Sequence, residues 1–89
     1  KNLAANYAAS NIRVNAIAAG LIDTPMSARA QEQDTIMEFV RKKQPLDGGR
    51  IGTPNDLDAL VVYLLSEESR FVTGQVINVD GGWSVSDGC

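Results

Sequence analysis

The sequence predicts an α/β fold in which two parallel strands and their helices form the end of a larger doubly wound sheet. Two short apolar runs, at 12–18 and 75–79, are separated by long helix-forming segments. Strands joined by such crossovers pair in parallel, and parallel sheets need cover on both faces and usually more than two strands. The 89 residues are therefore expected to be incomplete as a domain.

The first segment, "KNLAANYAA" at 1–9, is rich in helix formers. Its apolar residues recur at helical spacing, and no N-cap residue precedes them. We therefore expect the tail of a longer helix. The chain begins with Lys1 rather than Met, which also favours a fragment.

The first strand is predicted at 12–18, "IRVNAIA", and Gly20 ends it. Apolar residues occupy both parities of this run, as expected for a strand that is covered on both faces. Open α/β sheets bind ligands beyond the carboxyl ends of their strands. The stretch "NAIAAGLIDTPM" at 15–26 is therefore the candidate site.

Thr24-Pro25 has the form of an N-cap followed by proline at the first helical position. A polar, helix-prone segment follows from 26 to about 43, and its few apolar residues make no continuous stripe. The stretch 44–52, "QPLDGGRIG", contains a proline and three glycines and is predicted to be a loop.

Thr53-Pro54 repeats the cap-plus-proline pattern, and Asp56 takes the place of Glu in a capping box. The helix that follows is expected to end near 66–69 and to face a sheet or another helix. Its apolar stripe recurs at helical spacing: Leu57, Leu60, Val61, Leu64 and Leu65. After a loop at 70–74 and the second strand at 75–79, "DGG" at 80–82 is read as a turn.

Composition excludes several kinds of function. A net charge of −3 without a basic cluster argues against nucleic acid, and no apolar run reaches the roughly 18 residues that span a membrane. With no histidine and one cysteine, Cys89, a zinc site, a disulfide and a Ser-His-Asp triad are not expected within the chain. A lone cysteine fits a cytoplasmic location. Asp23 is read as a solvated loop carboxylate.

Three segments together resemble the C-terminal portion of a short-chain dehydrogenase/reductase: "NIRVNAIAAGLIDTPM", "RIGTPNDLDALVVYLLS" and "FVTGQVINVDGGW". The resemblance implies that residues 1–89 are the C-terminal part of a Rossmann-fold domain. The family pattern Asn-x-(Ile/Val)-x-Pro-Gly-x-(Ile/Val)-x-Thr is matched at five positions: Asn15, Ile17, Gly20, Ile22 and Thr24. The chain departs from it at Ala19, where alanine neither fixes φ nor removes a donor as proline does.

The resemblance implies hydride transfer between NAD or NADP and a small alcohol or carbonyl substrate. The implied cofactor-binding residues are Gly20, Ile22 and Thr24. Ile22 would hold the nicotinamide carboxamide through its backbone, and the Thr24 hydroxyl would lie near the carboxamide or pyrophosphate. The segment from 26 to about 48 would be the variable substrate lid, and the final helix and strand would form subunit interfaces of a homo-oligomer.

The family's Gly-rich loop, catalytic serine and Tyr-x-x-x-Lys pair belong upstream of these residues. Neither Tyr7 nor Tyr63 has the required lysine, so no catalytic residue is assigned. The chain alone is expected to be inactive and to bind no cofactor. Two alternatives stay open: a truncated, non-catalytic module that self-associates through an exposed sheet edge, and one chain of a split enzyme. Trp83 is expected to pack at the sheet edge or a subunit interface.

Overall fold

A computed structural model describes residues 2–86. Predictions that concern Lys1 and Cys89 lie outside these residues. In chain order, the elements are α1 (Asn2–Ala8), β1 (Ala16–Ala19), a 3₁₀ turn (Pro25–Ser27), α2 (Ala28–Gln31), α3 (Asp34–Lys43), α4 (Leu46–Gly49), α5 (Asn55–Leu65), a 3₁₀ turn (Glu67–Ser69), β2 (Val76–Val79) and a 3₁₀ turn (Trp83–Val85).

The strands β1 and β2 pair in parallel, from Ala16 opposite Val76 to Ala19 opposite Val79. The predicted α/β fold with two parallel strands is confirmed. The predicted start of the first strand at residue 12 is wrong, since β1 begins at Ala16. The segment opposite residues 12–15 turns at Gly74 (φ 74°) and offers no extended partner. There the Asn15 side chain replaces the ladder, since its amide donates to the Val72 carbonyl and accepts from the Gln75 N–H.

The helix α1 ends in a left-handed cap at Asn11, whose φ is 62°. The Asn11 N–H donates to the Ala8 carbonyl at 2.9 Å, and the Ile12 N–H donates to the Tyr7 carbonyl at 3.2 Å. These two bonds form a Schellman motif, in which asparagine is one of the few residues that tolerate the left-handed conformation. The chain then turns directly into the approach to β1.

The segment after Thr24 forms two helices rather than one, which corrects the predicted helix over 26–43. The helix α2 ends at Gln31 and α3 begins at Asp34, with Gln33 in an extended conformation between them. A polar segment without a continuous apolar stripe has no packing face that would hold one long helix, and an acidic residue favours a new helix start. In the predicted loop, α4 is a single turn distorted by left-handed Asp47 and Gly48.

The helix α5 begins at Asn55, one residue later than predicted, and ends at Leu65. One of the two hydrogen bonds of the predicted capping box forms just before this helix: the Asp56 carboxylate accepts the Thr53 N–H at 2.7 Å. Leu57, Leu60 and Leu64 are half-buried, whereas Val61 and Leu65 are exposed. The expected packing of the whole stripe therefore holds for only part of it.

The hydrophobic core of the described residues is thin, since only Ala4 and Val40 are buried apolar residues there. Large apolar side chains such as Met26, Phe71 and Val85 are almost fully exposed. The radius of gyration is 15.6 Å, whereas a compact domain of this length has about 12 Å. These dimensions fit an incomplete domain. Between residues 2 and 86, no helix has the length and apolar character that crossing a membrane requires.

Candidate functional site

The candidate site lies where both strands end. The Gly20 N–H donates to the Val79 carbonyl at 3.1 Å, and this bond is the last backbone link between the two strands. Beyond this bond, the segment after β1 continues into the loop 20–24, and the segment after β2 turns sharply at Asp80. Diverging strand ends leave a crevice at the carboxyl edge of the sheet, which is where open α/β sheets bind ligands.

Ile22 presents its backbone toward the side opposite Gly52. The Gly52 N–H donates to the Leu21 carbonyl at 2.9 Å, and its carbonyl accepts the Asp23 N–H at 2.8 Å. Because backbone groups alternate in direction along an extended chain, the N–H and carbonyl of Ile22 point away from Gly52. The carbonyl accepts the Ser27 hydroxyl at 2.7 Å. Among the hydrogen bonds formed within residues 2–86, none uses the Ile22 N–H.

Thr24 begins the 3₁₀ turn, as the sequence predicted, with Pro25 at the first helical position. The Thr24 N–H donates to the Ser27 hydroxyl oxygen at 3.1 Å, and its carbonyl accepts the Ser27 N–H at 3.0 Å. The Ser27 hydroxyl therefore joins the two neighbouring positions Ile22 and Thr24. Ser27 is buried, and it fixes the geometry of the loop from inside.

Gly20 has a structural reason to be glycine. A Cβ at this position would lie 2.6 Å from Gln44 Oε1 and 3.0 Å from the Asp80 Cα. Real Cβ atoms essentially never approach another atom to 2.6 Å, and a contact of 3.0 Å would force the Asp80 backbone to shift. The space beside Gly20 is therefore filled by the protein itself, through the buried side chain of Gln44.

The Asp80-Gly81-Gly82 sequence forms a turn, as predicted, although a 3₁₀ turn follows it. Its carboxylate accepts the backbone N–H groups of Gly82 at 3.0 Å and Ser84 at 2.9 Å. Desolvation opposes ionisation of Asp80, but hydrogen bonds from Ser84, Gly82 and Trp83 outweigh it and hold the pKa of this carboxyl below its usual value. Asp80 is therefore a charged turn residue at the edge of the crevice.

An apolar groove of about 620 Å³ opens between the strand ends and α3. Its lining is mostly apolar: Ala18, Ala19, Gly20, Leu21, Ala30, Ile36, Phe39, Val40, Asn78, Asp80, Trp83 and Ser84. Trp83 contacts Phe39 edge-to-face, with ring centroids 5.9 Å apart, and Lys43 Nζ lies 5.8 Å from its ring centre. Within the chain, Trp83 thus packs against α3, and its predicted place at the sheet edge or a subunit interface stays a prediction.

Charged residues around the crevice have partners within the chain. The Arg50 guanidinium binds both carboxylate oxygens of Asp56, at 2.8 and 3.0 Å, and contacts Asp47 at 2.6 Å. Hydrogen bonding to Arg50, followed by the Thr53 N–H, holds the pKa of Asp56 well below its usual value. Asp23 is exposed and accepts the Gln31 amide at 3.0 Å, as expected of a solvated carboxylate.

The structure brings Gly20, Ile22 and Thr24 together in one loop, but sequence reasoning missed two residues that hold this loop in place. Ser27 and Gln44 lie in segments read only as polar helix and loop. For Ser27, its position three residues after Thr24 could have indicated a capping partner of Thr24. Nothing in the sequence indicates that Gln44 reaches a strand end 23 positions earlier.

Comparison with known proteins gives consistent results. A family profile described as "Enoyl-(Acyl carrier protein) reductase" matches residues 1–84. The chain is 44% identical over 82 residues to the 3-oxoacyl-[acyl-carrier-protein] reductase FabG of Thermotoga maritima, which covers 92% of this chain and 32% of that protein.

Two solved structures have the same fold over nearly the whole chain. A short-chain type dehydrogenase/reductase from Mycobacterium ulcerans has a TM-score of 0.87 at 39% identity, covering 96% of this chain and 30% of that one. A 4-hydroxyisoleucine dehydrogenase complexed with NADH has a TM-score of 0.88 at 31% identity, covering 97% and 35%. The chain thus spans about a third of the length of the proteins that it matches.

Proposed function

The chain belongs to the short-chain dehydrogenase/reductase family, and on that premise we propose that it supplies the nicotinamide-side wall of an NAD- or NADP-dependent oxidoreductase. The reaction would be hydride transfer between the cofactor and a small alcohol or carbonyl substrate. The observation that carries this proposal is the Ile22 N–H, which has no partner among residues 2–86 and lies at the carboxyl end of the sheet.

The donor and acceptor groups of the loop fit a carboxamide. A carboxamide offers an acceptor oxygen and an NH₂ donor, and it pairs with a backbone N–H and a backbone carbonyl. Ile22 provides the N–H, and its carbonyl keeps a second lone pair beside the bond from Ser27. The Thr24 hydroxyl lies two positions further along. Gly20 contributes to the same wall by admitting Gln44 beneath the loop.

The residues of this chain would bind, orient and exclude water. The nicotinamide ring, when bound, supplies or accepts the hydride. The groove beneath α3 borders the strand end at Gly20 and Leu21, and its apolar lining would shield a reacting carbonyl from solvent. The general acid or base expected for this family is not assigned to any residue of this chain, so we propose that the 89 residues alone are inactive.

A chimera tests this function. Replacing the matching stretch of the Thermotoga maritima reductase with this chain should give a protein that reduces a carbonyl substrate with NADH or NADPH. The isolated chain should show no turnover above a protein-free blank. A folded chimera without turnover would overturn the proposed function, provided that the same exchange with another family member is active. Turnover by the isolated chain would overturn its proposed inactivity.

Thr24 gives a sharper test of the binding wall. Thr24→Val keeps the shape of the side chain and removes the hydroxyl. In the active chimera, it should raise the KM for the cofactor about three- to tenfold, the range expected for one lost hydrogen bond. Thr35→Val, on the exposed surface of α3, is the matched control and should leave this KM unchanged.

A second candidate is a non-catalytic module that self-associates. Within the described residues, β1 has a ladder partner only in β2, so its other edge is open to a further strand. Sedimentation of the chain should then show a dimer or larger species, and a compact monomer would contradict this candidate.

A third candidate is one chain of a split enzyme. It would co-purify with a separate chain of roughly 150–180 residues, the usual size of one domain. We also propose a cytoplasmic location and a homo-oligomeric full enzyme.

A further inference from the structure

The buried amide of Gln44 binds both backbone groups of one residue in the exit loop. Gln44 Oε1 accepts the Leu21 N–H at 2.9 Å, and Nε2 donates to the Leu21 carbonyl at 3.3 Å. The same Nε2 donates to the Arg50 carbonyl at 3.2 Å. The side chain, which is 2% exposed, therefore acts as a substitute peptide group. It continues the hydrogen bonding beyond Gly20, where β2 has turned away.

This contact contributes to the direction in which the Ile22 N–H points. The Leu21 carbonyl and the Ile22 N–H belong to the same trans peptide, so they point in opposite directions within one plane. The Leu21 carbonyl accepts two hydrogen bonds, one from Gln44 Nε2 and one from the Gly52 N–H at 2.9 Å. Holding the carbonyl from one side fixes the unpartnered N–H on the other.

Gln44 also ends the helix α3. Its N–H donates to the Val40 carbonyl at 2.8 Å, and its backbone then leaves the helical conformation. The residue that ends α3 is thus the residue that holds the exit loop. A displacement of α3 that withdraws Gln44 would remove its two hydrogen bonds to Leu21 and leave only the Gly52 N–H on the Leu21 carbonyl.

The glycines around Gln44 leave the space that this arrangement needs. A Cβ at Gly20 would meet Gln44 Oε1 at 2.6 Å, and a Cβ at Gly81 would meet Gln44 Cβ at 3.1 Å. The Leu46 N–H donates to the Gly81 carbonyl at 3.0 Å and fixes the chain just beyond. Gln44 is therefore enclosed between the two strand ends.

We propose that Gln44 is a positioning residue for the cofactor: it aims the Ile22 N–H at the nicotinamide carboxamide and couples that aim to the position of α3. This inference rests on the proposed function. It adds that Gln44, at the end of α3, holds the binding group together with the backbone of Gly52.

Hydrogen exchange on the ¹⁵N-labelled chain tests the contact without any activity. The Leu21 N–H should exchange slowly and the Ile22 N–H quickly. Gln44→Met, which keeps the length but loses all three hydrogen bonds, should speed Leu21 exchange about three- to tenfold. Gln33→Met is the matched control, because Gln33 is exposed and makes no side-chain cap bond. Equal Leu21 exchange in Gln44→Met and the parent would overturn the contact.

Kinetics of the active chimera test the role in binding. Gln44→Met and Gln44→Glu, which retains the acceptor but lacks both donors, should each raise the KM for the cofactor about three- to tenfold. The Gln33→Met control should match the parent. A Gln44→Met chimera that loses thermal stability while its cofactor KM stays within about twofold would overturn the positioning role. An inactive parent chimera would instead count against the proposed function, and the exchange experiment would still decide the contact.

Discussion

Arg50 binds Asp56 through two parallel hydrogen bonds, 2.8 and 3.0 Å long, across the start of α5. The same carboxylate accepts the Thr53 N–H at 2.7 Å. One side chain thus caps a helix and joins it to the segment that carries Arg50. Because Gly52 between them bridges to Ile22, the ion pair also steadies the loop of the candidate site.

We predict that Asp56→Asn lowers the Tm of the chain and its helix content. The amide can still accept the Thr53 N–H but loses the charge that binds Arg50. The decrease should be a few degrees at most, since an exposed ion pair contributes little. Circular dichroism measures both quantities. Asp58→Asn, in the same first turn, should have a smaller effect, and equal effects would contradict the assigned role of Asp56.

The pH dependence of this pair has a definite sign. The pKa of Asp56 in the folded chain lies well below its usual value, mainly because of hydrogen bonding to Arg50. The stabilisation is therefore complete above pH about 4, the ordinary value for aspartate, and is lost as the pH falls through the folded pKa. The Tm difference between the parent and Asp56→Asn should stay constant from about pH 7 to about pH 5 and shrink in more acidic buffer.

Gly20→Ala should destabilise the chain. Its Cβ would need the space that Gln44 Oε1 and the Asp80 backbone occupy, and such overpacking costs about 1–3 kcal/mol. Urea unfolding measures the loss. Gly48→Asn serves as a contrast, because nothing lies within 4 Å of that position and asparagine tolerates its positive φ. In a Gln44→Ala background, Gly20→Ala should lower the free energy of unfolding by less. An equal decrease in both backgrounds would show that Gln44 does not occupy the space beside Gly20.

The sequence was sufficient to predict the fold class, the parallel pairing of the strands and the cap-plus-proline start at Thr24. These features depend on local periodicity and on turn residues. The start of β1 could not be predicted from the apolar run itself, because it depends on the turn at Gly74 in the segment that leads into β2. The sequence shows that the segment before Asp34 has no continuous apolar stripe, but this does not reveal the residue at which the helix divides.

The sequence predicts the loop that the structure places at the strand ends, but not the contacts that hold this loop. The strand exit at Gly20 and the positions of Ile22 and Thr24 follow from a short contiguous pattern. Gln44 is a polar residue beside a proline, and its burial results from contacts with residues far apart in the chain. Glycine at position 20 is compatible with a close ligand, and only the structure shows that a side chain already fills the space.

Trp83 should report the docking of α3, because it is the only tryptophan of the chain. Phe39→Ala removes the edge-to-face contact, worth about 0.5–1.5 kcal/mol beyond burial, and exposes the indole. We expect the fluorescence emission of Trp83 to shift to longer wavelength. Phe71→Ala is the matched control, since Phe71 is fully exposed and is not in ring contact with Trp83 in the part of the chain described. An unchanged spectrum in Phe39→Ala would show that α3 is not docked on Trp83.

Ser69 should matter more for stability than any exposed serine, because its side chain links the end of α5 to the approach of β1. Its hydroxyl accepts Arg13 Nη1 at 2.9 Å and donates to the Leu64 carbonyl at 3.1 Å, and the residue is 0% exposed. Ser69→Ala removes these hydrogen bonds from a buried position, at a cost of about 1–3 kcal/mol. Urea unfolding should show this loss, whereas Ser10→Ala at an exposed position should change stability little.

Arg13→Met should also destabilise the chain, and its effect should be smaller in the Ser69→Ala background, as two residues in contact require. Fully additive effects would show that the Arg13–Ser69 bond does not link the two elements in solution.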